Sequence, residues 1–403
     1  MMKRIISNFK KNKALYLIAL NLGLTGFGGL AIVDRIKEEY VTKRKIISEQ
    51  KFLHTLSLAQ ILPGSIIINL IAFLNYLSAG LIGALIGTAI YILPTFLITT
   101  LFSAIYFRYP HEQSINRIVL SLNILLISLL IKTLFSLGRS VFIREKSVDH
   151  RSMIIASVSF YLYFSYGLSA VWVFLISGLL GIVLYTLTGF FNTKPMNLPI
   201  ASGAFFKHKK AWVILITFLI LFSFSIAYIS TPLWILFSSF FKVGSLSFGG
   251  GIAAIPLIKN IFVEDLRLFN LKEFWDGISI SQITPGPILI VSAFFGYKVF
   301  GLLGALVATL GMCVPSIFLT IIIGKIHDRI KQASTIRGII RGFLAGFMGI
   351  LTTLIIVQIQ RSIVNWSTLL LTLITLLTLV KIKNGFLISL VLCLLYAVLF
   401  NFR

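Results

Sequence analysis

The chain has 403 residues, 58% hydrophobic and 12% charged. That is about half the charged share of an ordinary soluble domain, and it excludes a soluble globular fold. The net charge of +24 is carried by basic residues clustered between apolar runs, as in Lys3-Arg4, Lys10-Lys11 and Lys43-Arg44-Lys45. This is the pattern of loops facing a cytoplasm and anionic lipid headgroups, and no nucleic-acid-binding motif accompanies it, so the lipid bilayer and not nucleic acid is the expected partner.

Apolar runs that meet or approach the ~20 residues of a spanning helix lie near 14–33, 52–76, 79–107, 117–137, 152–166 and 168–190. Further runs lie near 211–229, 233–258, 274–297, 299–324, 337–359, 365–380 and 385–402. The first resembles a signal peptide but passes straight into Gly26-Phe27-Gly28-Gly29 without a cleavage-like site, and is read as retained. Pro94 inside the 79–107 run predicts a kink or strong tilt there. The polar stretch 191–210, with Pro195, Pro199 and four lysines, reads as a connection between halves. Cys313 and Cys393 lie within apolar runs, and histidines 54, 111, 150, 208 and 327 form no H-x-x-x-H pair. Neither a disulfide framework, a metal centre nor a cofactor is expected.

The two halves repeat. Gly23-Leu24-Thr25-Gly26-Phe27-Gly28-Gly29 matches Gly244-Ser245-Leu246-Ser247-Phe248-Gly249-Gly250, and Gln60-Ile61-Leu62-Pro63-Gly64 matches Gln282-Ile283-Thr284-Pro285-Gly286. Gly80-Leu81-Ile82-Gly83-Ala84-Leu85 matches Gly301-Leu302-Leu303-Gly304-Ala305-Leu306, and Pro94 matches Pro315, all at an offset of 221 or 222. The domain reading is a first repeat over 1–193, a connection with a linker helix over 194–230, and a second repeat over 231–403. An unpaired 211–229 helix would start the second repeat on the opposite membrane face. The fold class is therefore an all-α polytopic membrane protein of two inverted repeats with broken or re-entrant helices. Lys and Arg counts put the N-terminus inside and the C-terminus outside, but leave the six basic residues of 34–51 outside. Re-entrant hairpins at 14–33 and 233–258 move that loop inside and strand 139–151 and 194–210, so charge alone does not choose.

Two kinds of break carry the chemistry. In Phe248-Gly249-Gly250-Gly251 and its counterpart Gly28-Gly29, glycine lets a helix stop at membrane depth, and a restarting helix offers unpaired N–H groups to an anion; the plainer alternative is close helix packing. In Pro63-Gly64 and Pro285-Gly286-Pro287, proline frees the carbonyl four residues back, while Gln60, Gln282 and Thr284 add neutral polar groups; the plainer alternative is a tight turn. Lys242 lies ten residues into an apolar run, where it either compensates an anion or snorkels; Asn21 stands at its counterpart position. All twelve acids read as loop or run-end residues, including Glu264, Asp265, Glu273 and Asp276. The absence of a membrane-buried acid argues against a cation carrier and for an anionic substrate. Gly338, Gly342, Gly346 and Gly349 share a helix face and read as packing glycines, with Arg337 and Arg341 as ordinary cytoplasm-facing cations.

At these residues the sequence resembles the chromate ion transporter family, in its two-domain form with a divergent first half. Ser247-Phe248-Gly249-Gly250-Gly251, Pro256-Leu257, Gln282 with Thr284-Pro285-Gly286-Pro287, Gly296-Tyr297, Gly301-x-x-Gly304-Ala305 and Pro315-Ser316 carry the resemblance. In the first half, Leu30 stands where the family has proline with a nearby histidine, Ser65 where it has proline, Asn69 where it has glutamine and Asn21 where it has a basic residue. The resemblance implies a polytopic inner-membrane protein exporting chromate, with sulfate as an isosteric competitor or exchange partner; the leucine-, isoleucine- and lysine-rich composition points to a bacterial plasma membrane, and a homodimer is among the expected assemblies. The expected function is a secondary transporter of a sulfate-like dianion working by alternating access, and not an enzyme. The substrate would bind between Phe248 to Gly251 and Thr284 to Pro287, completed by Gly28-Gly29, Pro63-Gly64 and the positions of Asn21 and Asn69. Two rivals are a carrier of another anion, such as sulfate or an organic acid, and a membrane-embedded enzyme acting on lipid. The latter lacks a histidine placed to join Glu273 and Asp276. No G-x-x-x-x-G-K-[ST] stretch supports an ATP-driven pump.

Overall fold

The computed structural model of the chain describes residues 12–26, 31–110, 112–144, 147–186, 230–248, 250–323, 334–382 and 385–399. The Gly28-Gly29 pair, Gly249, the 194–210 connection and the 211–229 run lie outside the described residues.

The first repeat opens with α1 (Lys13–Thr25) and α2 (Ala31–Lys37), which widens into a π-helical turn over Glu38–Lys43. Then come α3 (Glu49–Ile61), α4 (Ile66–Arg108), α5 (Gln113–Phe142), α6 (His150–Phe164) and α7 (Ala170–Gly181). The second repeat follows the same plan. α8 (Thr231–Leu246) leads through a 3-10 turn at Gly251–Ala253 into α9 (Ala254–Ile258), which again ends in a π-helical turn, Lys259–Asp265. α10 (Leu271–Gln282), a 3-10 turn at Ile288–Ile290, α11 (Val291–Ile323), α12 (Ser334–Ser362), α13 (Trp366–Lys381) and α14 (Gly385–Leu399) complete it. The caps repeat as well: Ser48 caps α3 through Lys51 N–H, and Asn270 caps α10 with Glu273 in a reciprocal capping box. Among the described residues the extended structure is a single antiparallel bridge between β1 (Ile143–Arg144) and β2 (Ser147–Val148).

α5 and α12 are uninterrupted, apolar and long enough to cross a ~30 Å hydrocarbon core. α4 and α11 are equally apolar, but each folds back on itself. The backbone leaves helical geometry at Gly80 (φ +68) and at Phe300-Gly301 (φ +56 at the glycine). Beyond the turn, Gly87 packs on Asn75, and Gly304 and Ala308 pack on Gly296. Residues twelve apart would be about 18 Å apart in a straight helix, so these contacts define helical hairpins. The 66–79 arm is about 20 Å long at 1.5 Å per residue, too short to span. Broken helices are thus present in both repeats. The break in the 66–108 stretch lies at Gly80, and Pro94, expected to kink it, sits within helical backbone.

The chain forms two compact units, each drawing on both repeats. One contains residues 1–104, 195–254 and 284–330; the other contains 105–194, 255–283 and 331–403. In the second unit α12 packs on α6 and α7 through its glycines: Gly342 lies on the Ser177 carbonyl, Gly346 on the Ser177 hydroxyl and Gly349 on the Ala156 carbonyl. A side chain at these positions would hold the helices apart, so small residues set the spacing. α5 packs on α13 and α14 around Ile124, Leu125, Leu371, Leu379 and Cys393. Ser128 crosses to Thr375 at 2.7 Å, and the Lys132 ammonium donates to the Leu379 carbonyl at 2.8 Å, at the negative end of α13.

Candidate functional site

In the first unit the breaks of the two repeats are interlocked. α1 lies against α4 where Gly23 meets the Tyr91 carbonyl and Pro94; α8 lies against α11 where Gly244 meets the Met312 carbonyl and Pro315. Each first helix stops on a residue left without a helical partner, Gly26 or Ser247. Their carbonyls are taken up crosswise. Gly64 N–H, in the first proline–glycine break, donates to Ser247 O at 3.0 Å, and Gly286 N–H, its counterpart, donates to Gly26 O at 2.9 Å. Each break therefore satisfies the other repeat's broken helix. This reciprocity is what a two-fold relation between the repeats requires.

Gly64 and Gly286 adopt φ of +95° and +119°, a region that costs a side-chain-bearing residue about 1–2 kcal/mol. Space excludes a side chain too: a Cβ on Gly64 would overlap the Ser316 hydroxyl, and one on Gly286 would overlap Thr95 Oγ1. Thr95 and Ser316 are themselves counterparts, each following the proline of its helix. Thr95 Oγ1 donates to the Pro285 carbonyl, and Thr99 donates to Thr284 at 3.3 Å. Ser316 Oγ is buried and has no hydrogen-bond partner among the described residues. Asn69 Nδ2 donates to Pro63 O at 3.1 Å and reaches the Ala59 carbonyl, the one proline frees, at 3.5 Å; its Oδ1 is buried without a partner among the described residues.

Three helical N-termini converge here. α4 begins at Ile66, directly after Pro63-Gly64-Ser65, and Ser65 caps it through Ile68 N–H. The 3-10 turn at Ile288 begins directly after Pro285-Gly286-Pro287. The third N-terminus, at Gly251, lies between them: Gly250 faces Ile66, and Gly251 faces Ile288 and the Leu289 N–H. Backbone N–H groups and positive dipole ends meeting in a buried setting suit an anion.

Of the residues expected to bind, the structure gathers Ser247, Gly250, Gly251, Thr284, Pro285, Gly286, Pro287, Pro63, Gly64 and Asn69, with Phe248 half-buried at the turn. Gly28, Gly29 and Gly249 lie outside the described residues. Lys242, Asn21 and Gln60 are not gathered; all three are exposed, and Gln282 is half-buried at the end of α10. Lys242 falls on the side of α8 opposite Leu236, Phe240 and Val243, next to exposed Phe241. Sequence reasoning missed Thr95, Thr99 and Ser316. The hydroxyl after proline in both Pro94-Thr95 and Pro315-Ser316 was the available signal.

The reading that every acid lies in a loop or at a run end needs correction at Asp276, while Asp149 does lie at a run end but is buried. In the second unit Asp276 is 2% exposed in the middle of α10, a helix buried from Phe274 to Ser281, and Asp149 is buried at the N-terminus of α6. Asp149 caps α6, accepts from the Tyr185 hydroxyl at 2.6 Å and pairs with Arg341 at 3.7 Å. Asp276 accepts from Tyr106 at 2.7 Å, Asn123 at 2.8 Å and Lys272 at 3.0 Å. Asp149 stands beside His150 and Arg151, and Asp276 one helical turn from Lys272 and Glu273, so both look like surface residues in the sequence; tertiary packing covers them.

Residues 13–182 and 234–399 match the family model described as chromate transporter, one match in each repeat. The chain is 26% identical over 383 residues to a chromate transport protein of Cupriavidus metallidurans, covering 92% of this chain and 88% of that protein. It is 28% identical over 354 residues to an uncharacterized transporter of Methanocaldococcus jannaschii (88% and 85% covered), and 24% identical over 349 residues to a chromate transport protein of Pseudomonas aeruginosa (84% and 80%). No solved structure matches. With both repeats matched, long apolar helices and interlocked breaks, the chain is a multi-pass membrane protein belonging to the chromate transporter family.

Proposed function

We propose that this protein is a secondary transporter that moves chromate, or a sulfate-like dianion of the same shape, out across a bacterial plasma membrane by alternating access. The observation that carries the reading is the crosswise pairing of Gly64 with Ser247 and of Gly286 with Gly26, which holds both proline–glycine breaks beside the Gly250-Gly251 turn. The anion would be held by N–H groups at the starts of α4, the Ile288 turn and the Gly251 turn, with the Ser316 hydroxyl as a donor. Those groups are neutral and dipolar, so a dianion can be bound and released without breaking a full ion pair. The two-fold relation gives the site equivalent walls from each repeat, the arrangement on which alternating access is built. An inside-negative potential assists exit of a dianion by roughly 2.3 kcal/mol per charge per 100 mV, so no nucleotide is required.

The test is uptake of radiolabelled chromate and sulfate into inverted membrane vesicles, with and without an imposed potential. Saturable chromate uptake that sulfate competes with is the expected result. Uptake of sulfate or an organic acid without chromate would keep the carrier and change its substrate. No uptake of any of these anions by folded protein would overturn the reading.

A further inference from the structure

We propose that Asp276 is a proton-binding site through which the movement of the anion is coupled to protons; this rests on the anion-transport reading above. Neutral groups already tie these helices together: Ser279 of α10 donates to Asn123 Oδ1 of α5 at 2.6 Å, and Gln358 of α12 donates to the same oxygen at 3.3 Å. A structural tie needs no charge, and burying a carboxylate costs several kcal/mol before its partners are counted. What a carboxylate adds to such a network is the ability to change from acceptor to donor by taking one proton.

The surroundings fit that change. Oδ1 faces the Asn123 amide, while Oδ2 faces the Tyr106 hydroxyl and the Lys272 ammonium. Lys272 is the way in: its side chain is 55% exposed, it also bonds Asn116 Oδ1 at 3.1 Å and it lies 5.7 Å over the Tyr106 ring. The carboxylate is therefore covered by protein but one side chain from water. The titratable groups around it are Lys272, which pairs with it, Tyr106 from the end of α4, which donates to it, and Glu273, which acts on Tyr106; α5 and α12 present neutral Asn116, Asn123 and Gln358. A proton passed from water to Oδ2 leaves a neutral carboxyl able to donate where it had accepted, and releases the Lys272 ammonium to solvent. α10 runs directly into Thr284-Pro285-Gly286, so a change in its hold bears on the break that follows it.

The experiment uses the full chain in liposomes at alkaline pH, where chromate is a dianion, with a pH dye trapped in the lumen. Chromate counterflow without a gradient reports anion exchange alone; the dye and an imposed pH gradient report coupling. Wild type is expected to change lumenal pH with chromate entry and to respond to the gradient, whereas Asp276→Asn keeps measurable counterflow and loses both responses. Lys272→Gln, which removes the cation paired with the carboxylate, should move the midpoint of the pH response upward. In detergent, without any anion, acidification should raise an infrared band of a protonated carboxyl that is missing in Asp276→Asn. Counterflow with no gradient response, a gradient response retained in Asp276→Asn, or the lack of an infrared band specific to Asp276 would each overturn the proposal. Absent counterflow in wild type would instead count against the anion reading, and the infrared measurement would still decide the proton site.

Discussion

At Gly64 and Gly286 two independent constraints fall on one atom, since the left-handed backbone and the facing hydroxyl both exclude a Cβ. Alanine at either position should cut chromate uptake at least tenfold and lower stability by about 1–2 kcal/mol from backbone strain alone. Gly167 is the control: it has φ +62° with nothing within 4 Å of a built Cβ, and it lies in the other unit. Gly167→Ala should show the strain as a lower unfolding midpoint and keep transport. Ser316→Ala removes a buried hydroxyl that has no partner among the described residues. Loss of one donor to a charged ligand is worth about 1.5–3 kcal/mol, so KM for chromate should rise roughly tenfold or more with unfolding unchanged; a KM that stays put would show that the hydroxyl does not reach the anion. Lys242→Ala, on the outward face of α8, should change uptake at limiting chromate by no more than about twofold, as surface substitutions do.

Among the elements, the helical hairpins at Gly80 and Gly301 separate the structure from a reading by hydropathy. Both glycines were visible as matched landmarks, and the apolar runs were divided near them. An apolar sequence reads the same whether its helix continues or folds back, because the missing backbone bonds are supplied by neighbours distant in sequence. The fold-back can be tested by an Asn75→Cys/Gly87→Cys double variant, whose thiols should couple on mild oxidation in membranes and yield a cross-linked peptide by mass spectrometry. A straight helix would keep these residues about 18 Å apart and leave both thiols free. The π-helical turns at 38–43 and 259–265 also recur in both repeats, where neither was foreseen. Their sequences, Glu38-Glu39-Tyr40 and Lys259-Asn260-Ile261, share no local pattern that distinguishes a π turn from an α turn.

For the whole molecule, the repeats visible in the sequence are not the compact units of the structure. Residues 1–104 share a unit with 284–330, and 105–194 share one with 331–403. Neither half, expressed alone as 1–193 or 194–403, should transport chromate, because each lacks the carbonyls and N–H groups that satisfy its own breaks. Co-expression should restore part of the activity; transport by a single half would show that two copies of one repeat can close the site. The sequence by itself determined the membrane class, the duplication, the proline–glycine breaks and the family, because these follow from composition and from residues that recur at a constant offset. The tertiary structure alone decided which groups face one another: it turned Lys242 outward, brought Thr95 and Ser316 onto the breaks and buried Asp276. Those outcomes depend on which side of a helix its neighbours cover, and that is fixed by contacts between residues far apart in the chain.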